Sequence, residues 1–294
     1  MQVDRPRSII IKPGTEASAR HAGSPAFPFM AHLLAVGKGG GADRSRRAGG
    51  PTPIQFDCGK EGRLGKPRFI AGVDVGSTKT CALVAEVAPV DGLQVLAAST
   101  APARGVQKGA VVDLGAAAAS VAEVLSQVTQ ATRRKIDSVI LGTSTAVASL
   151  NSRGTAIPRQ RDRPISLDDA RRAVVAAAEN GLPGTRQVLH AMPRRFLIDG
   201  QTEVSNPVGL FGRRIDADAH IVTAAGPTVR ALIACIERWG AEVEEVVAQP
   251  LAAAQAVLRP EEREQGVVVA EVGAGSCGVC VFVDGSAWHT ATVP

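Results

Sequence analysis

The feature that most constrains this chain is a strand, an acid, a glycine turn and a returning strand that occur twice, about two hundred residues apart. In the first copy Phe69-Ile70-Ala71-Gly72-Val73-Asp74-Val75 reads as a strand ending in an acid. Gly76-Ser77-Thr78-Lys79-Thr80 turns it back into Cys81-Ala82-Leu83-Val84-Ala85-Glu86-Val87. In the second copy Gly266-Val267-Val268-Val269-Ala270-Glu271-Val272 ends in the same way. It turns through Gly273-Ala274-Gly275-Ser276-Cys277-Gly278 and returns as Val279 to Val283, closed by Asp284-Gly285. One such unit is equally an ordinary tight turn. Two of them imply duplicated halves that face each other.

The residue types suggest what such a pair would hold. Neither turn is a Walker loop, which needs Gly-x-x-x-x-Gly-Lys-Ser/Thr ahead of a helix. Small residues still let backbone N–H groups approach phosphate oxygens as a nest. The candidate phosphate-binding residues are Asp74, Gly76, Ser77, Thr78 and Lys79 on the first hairpin, and Glu271, Gly273, Gly275 and Ser276 on the second. Lys79 and the hydroxyls add donors, and Asp74 is suited to hold Mg²⁺ through water.

Charge and composition narrow the alternatives. The 294 residues allow one to three domains. Residues 1–67 carry 11 Lys and Arg against 5 Asp and Glu, whereas residues 68–294 carry 22 against 23. The basic excess therefore lies wholly in a Gly-, Pro- and Arg-rich N-terminal stretch, which reads as a disordered extension. A basic tail for anionic lipid or nucleic acid is the competing reading of that stretch. Aromatics are 3% and Tyr is absent, which argues against a base-stacking nucleic-acid surface. No apolar run reaches the roughly 18 residues of a membrane-spanning helix. Five scattered cysteines exclude a disulfide framework, and Cys277 and Cys280 read as strand residues rather than zinc ligands.

The segments between the hairpins carry further motifs. Gly105-Val106-Gln107-Lys108-Gly109-Ala110-Val111-Val112-Asp113 precedes an amphipathic helix over 114–132. Asn151-Ser152-Arg153-Gly154, His190-Ala191-Met192-Pro193-Arg194-Arg195-Phe196, Asn206-Pro207-Val208-Gly209-Leu210-Phe211-Gly212 and His220-Ile221-Val222-Thr223 follow in order. Ser166 with Asp168 and Asp169 starts a helix whose apolar face is Ala170, Val174, Ala177 and Ala178. Paired hairpins meeting over one triphosphate resemble the actin-like ATPase superfamily. The intervening motifs resemble the FtsA family of bacterial cell-division proteins, over about residues 68–294.

That resemblance implies an α/β, actin-like (ribonuclease H-like) ATPase fold with an inserted subdomain specific to the family. Residues 68–149 and 228–265 would form the first actin-like subdomain, 150–227 the insertion (SHS2), and 266–294 the start of the second domain. It implies ATP with Mg²⁺ as ligands. The role it implies is an adaptor that links FtsZ filaments to the cytoplasmic membrane and recruits later division proteins. Self-association into filaments and a place at the septal face of the inner membrane go with it. Arg194, Arg195, Asn206, Pro207 and Gly209 would serve partner contact, and activity would be at most that of a weak ATPase. A degenerate adaptor without nucleotide and an actin-fold small-molecule kinase are the alternatives.

Two departures from the family pattern bear on these expectations. The family usually has Asp where Glu271 stands, Gly where Ala274 stands, and a hydroxyl with Asp where Cys277 and Gly278 stand. An extra methylene displaces a carboxylate by roughly 1.5 Å. The resemblance also implies more than a hundred further residues beyond Pro294, including the adenosine-binding motif, so ATP binding is expected to be weak.

Overall fold

The computed structural model describes residues 7–11, 68–88, 92–159, 163–180, 182 and 184–294. The expected disordered extension lies outside the described residues except at one point. Arg7–Ile11 forms strand β1 and pairs antiparallel with a strand of the second half, Arg7 opposite Val272 and Ile11 opposite Val268. For these five residues the expectation of disorder is corrected. Ile9-Ile10-Ile11 is a short β-branched run inside a polar stretch, and composition averaged over 67 residues hides it.

The first half is a five-stranded sheet. It contains β2 (Arg68–Val75), β3 (Lys79–Ala88), β4 (Gly92–Pro102), β7 (Ser138–Thr143) and β12 (Glu242–Ala248), in the order β12-β7-β2-β3-β4. The β2–β3–β4 meander is antiparallel, while β7 runs parallel to both β2 and β12. The ribbon β5 (Val106–Gln107) and β6 (Ala110–Val111) leads into α1 (Leu114–Thr132), whose range matches the sequence reading. The Asp113 side chain caps α1 by accepting the Ala116 N–H at 3.0 Å. Ala117, Val121, Val124, Leu125 and Val128 form its buried face, against the sheet and helix α3 (Gly226–Glu237). Helix α3 starts five residues earlier than its apolar run from Ala231 suggests, because Pro227 fits a first helical turn.

The inserted module is a sheet with one helix. Its strands are β8 (Ala148–Ala156), β9 (Arg186–Ile198), β10 (Thr202–Val204) and β11 (Ile215–Ala225), in the order β10-β9-β11-β8 and antiparallel throughout. Helix α2 (Leu167–Glu179) lies on it through Ala170, Ala173, Val174 and Ala177. Ser166 is the N-cap that the sequence predicts, and with Asp169 it forms a reciprocal capping box. Gly154 lets α2 approach, since a methyl there would strike the Ala173 carbonyl and the Ala177 amide.

The second half carries β13 (Val267–Val272), β14 (Cys277–Val283) and β15 (Ser286–Val293), in the order β1-β13-β14-β15. Helices α4 (Gln249–Val257) and α5 (Pro260–Glu264) connect it to the first half, and α4 packs on β13, β14 and β15. The inserted sheet meets this half edge to edge. The Thr292 N–H donates to the Val147 carbonyl at 3.0 Å, and the Thr290 N–H to Ser149 Oγ at 2.8 Å. Asn151 Nδ2 donates to the Trp288 carbonyl at 3.1 Å, and buried His220 bonds Asn151 and Thr290 through its two ring nitrogens.

Candidate functional site

The two hairpins converge, and their backbones repeat each other. Asp74 pairs in register with Cys81, and Glu271 with Gly278. The Gly76 N–H donates to the Lys79 carbonyl at 3.0 Å, and the Gly273 N–H to the Ser276 carbonyl at 2.9 Å. Each turn is thus closed by the same bond two residues after its acid. The turns also touch: a methyl on Gly275 would collide with Ser77 Oγ and lie 3.0 Å from Lys108 Cα. Gly275 is therefore the residue that lets the second turn approach the first. Ala274, the departure noted above, is exposed rather than pressed against the first turn.

At the base of this cleft the two carboxylates act on each other. Burial pushes Asp74 up to about 6, against the favourable charge of Lys79 and a hydrogen bond from Gln249. Burial pushes Glu271 up to about 7, and the charge of Asp74 adds to the rise. Glu271 Oε2 is buried and has no hydrogen-bond partner among the described residues. With both carboxyls pushed up and interacting, near neutral pH the pair attracts a cation or holds a proton.

The donor set fits a hydrated divalent cation. Two recessed carboxylates, one with a free oxygen, suit an ion that keeps several waters and takes phosphate oxygens for the rest of its shell. Among the described residues no group of three or more His, Cys, Asp or Glu side chains gathers, so no all-protein metal cage forms. Gly278 makes room for the Pro250 ring beside the Glu271 carboxylate. A methyl there would lie 3.5 Å from Glu271 Oε2 and 2.7 Å from the Pro250 ring.

Several site residues were not singled out in the sequence. Gln249, which holds Asp74, is the first residue of α4, directly after β12. The Gly109 N–H donates to Ser77 Oγ at 2.8 Å, and Thr145 Oγ1 donates to the Gly109 carbonyl at 2.5 Å. The available signal was positional. Asp74, Gln249 and Thr145 all sit at the carboxyl ends of parallel strands β2, β12 and β7, where open α/β sheets bind ligands.

The expected partner-contact residues fall into two groups. Asn206, Pro207 and Gly209 make a tight loop. Asn206 Oδ1 accepts the Val208 N–H at 3.0 Å, the Leu210 N–H donates to the Pro207 carbonyl at 3.1 Å, and Gly209 adopts φ +89°. The loop is tied to the α2 entry by the Gly209 N–H, which donates to the Ile165 carbonyl at 2.9 Å, and it leaves Phe211 66% exposed. Arg195 is exposed and paired with Asp218 and Glu203 on its own sheet. Arg194 instead lies over the Trp288 ring at 3.5 Å. Cys277 and Cys280 lie on β14, and the buried Cys280 thiol contacts Thr290 Oγ1 at 3.6 Å.

Comparison with known proteins places this geometry. Residues 145–223 match the family described as "SHS2 domain inserted in FTSA". The cell division protein FtsA of Borreliella burgdorferi is 34% identical over 227 residues, 77% of this chain and 55% of that protein. FtsA of Pseudomonas aeruginosa is 34% identical over 228 residues, 77% of this chain and 54% of that protein. A solved structure titled "PilM-PilN type IV pilus biogenesis complex" superposes with a TM-score of 0.53 at 15% identity, covering 76% of this chain and 61% of that one. That likeness concerns the fold, which is the α/β actin-like ATPase fold with an SHS2 module inserted. The chain spans about half the length of the curated relatives it matches. With its inserted module between β8 and β11 and its paired hairpins on either side, the chain belongs to the FtsA family of cell division proteins.

Proposed function

We propose that this chain forms the phosphate side of a Mg²⁺–ATP site and acts in cell division as an actin-like assembly protein. In this reading it links FtsZ filaments to the cytoplasmic face of the membrane at the septum, associates with further copies of itself and recruits later division proteins. The carrying observation is the convergence of Asp74, Gln249 and Glu271 beneath two glycine turns closed by equivalent bonds. Gly76, Ser77, Thr78 and Lys79 would face the phosphates from one side, and Gly273, Gly275 and Ser276 from the other. Backbone N–H groups and Lys79 would supply the positive field, and Asp74 with Glu271 would hold the hydrated cation. Bound Mg²⁺ would neutralise phosphate charge; the residues themselves bind and orient. Among the described residues no helix is long and apolar enough to cross a membrane.

The test is equilibrium binding of a fluorescent ATP analogue with Mg²⁺ and with a chelator. Saturable, Mg²⁺-dependent binding that Lys79→Ala and Asp74→Asn each weaken is the expected result. Binding indifferent to both substitutions, or absent from the folded protein, would refute the proposal.

A further inference from the structure

A second cavity lies where the inserted module, the connecting helices and the second half meet, and its lining includes neither Asp74 nor Glu271. Strand β9, helices α4 and α5, and the β14–β15 turn enclose about 190 Å³. Two arginines line it from opposite parts of the fold, Arg194 from β9 and Arg263 from α5. Leu251 and Phe282 supply apolar wall between them.

Both guanidinium groups are held but unsatisfied. Arg194 lies 3.5 Å over the Trp288 ring, and Arg263 lies 5.4 Å over the Phe282 ring. Arg263 also donates from Nη2 to Gln255 Oε1 at 2.7 Å. The Nε atom of each arginine is buried and lacks a hydrogen-bond partner among the described residues. A buried donor without an acceptor costs its full desolvation, more for a charged group.

No acid in the lining answers these charges. Asp218 acts on Arg194 at a distance but is already bonded to Arg153 and Arg195. Glu264 is exposed at the rim, against Gly285. Two planar guanidinium forks, one stacked on Trp288 and one beside the Phe282 ring, match the bidentate demands of an oxyanion. The volume suits a small ion and is below the range of drug-sized ligands.

We propose that this cavity is an oxyanion site, in which Arg194 and Arg263 jointly bind the phosphoryl or carboxylate group of a small molecule. The site is separate from the hairpin cleft and does not depend on its reading.

Trp288 lies outside the lining but stacks on Arg194, so its emission reports on that guanidinium. The chain has two tryptophans, so Trp239→Phe leaves Trp288 as the sole indole emitter. Inorganic phosphate and succinate are titrated separately, with sodium chloride holding ionic strength constant. A saturable change in Trp288 emission is expected with at least one of them, and which anion responds tells phosphoryl from carboxylate. Arg263→Gln, which leaves the Arg194–Trp288 stack in place, is expected to weaken the apparent affinity roughly tenfold or more. Lys79→Ala is expected to leave it unchanged. No saturable response to either anion, an unchanged affinity in Arg263→Gln, or loss of the response in Lys79→Ala overturns the proposal. If Arg263→Gln loses its circular dichroism signal, Arg194→Lys decides the matter. Weakened binding by that folded variant supports the site, and unweakened binding refutes it.

Discussion

Replacing Glu271 with Gln should stabilise the protein at alkaline pH and leave it unchanged at acid pH. The carboxyl rises from 4.5 to about 7 on folding, through burial and then the Asp74 charge. A carboxyl raised in the folded state binds more protons folded than unfolded between those values. Stability is therefore greatest below the unfolded value and falls as pH climbs through the folded one. At 1.36 kcal/mol per pH unit, the ionised side chain costs about 3 kcal/mol once pH exceeds the folded value. Gln keeps the shape and removes the charge, so it recovers most of that cost. Melting temperature should rise by roughly 6–12 °C at about pH 8, at 2–4 °C per kcal/mol for a chain of this size. The advantage should shrink steadily towards about pH 5. Thermal unfolding of both proteins across this range, in chelator, measures the difference curve. A flat curve, or a variant less stable at about pH 8, would refute the coupling of Glu271 to burial and Asp74. Mg²⁺ should stabilise the parent more at high than at low pH, and the Glu271→Gln variant should lose most of that response.

Burial first, and then the Arg194 and His289 charges, lower His220 to about 4, so its ring signals in proton NMR should titrate near there; a midpoint near 6.5 would contradict its buried bonds to Asn151 and Thr290. Because that shift is downward for a base, its contribution to stability is present above 6.5 and is lost as pH falls towards 4. Gly154→Ala drives a methyl into the α2 backbone and should cost about 1–3 kcal/mol in urea denaturation, and an unaffected midpoint would deny the close approach. Ser166→Ala removes half of the capping box and should cost about 1 kcal/mol, with the loss read in the same assay.

Sequence alone made the local structure plain and left the long-range contacts dark. Helix α1 could be bounded because Asp113 is a good cap and the apolar period runs without a break from Leu114. The hairpins could be read because strand, acid and glycine turn are adjacent in the chain. Gln249 could not, since its importance comes from meeting Asp74, 175 residues away. The same holds for Arg194, whose neighbour Arg195 looks identical in sequence. One stacks on Trp288 while the other pairs with Asp218 and Glu203, because the register slips between them: Arg195 lies opposite Asp218, Pro193 lies opposite Ala219, and Arg194 is the extra residue of a β-bulge. Strand β1 escapes a sequence reading for a different reason: five apolar-rich residues do not move the average of a polar stretch, yet they suffice to pair with β13.

The edge contact between β8 and β15 gives the inserted module a mechanical role. Besides the chain path through α4 and α5, the bonds of Thr290 and Thr292 to Ser149 and Val147 form a second seam, between the inserted module and the second half. A motion that swings Glu271 away from Asp74 must either rupture that second seam or carry the inserted sheet along with β15. With the seam intact, the SHS2 module would move with β15 as one piece, and so would the loop that carries the exposed Phe211.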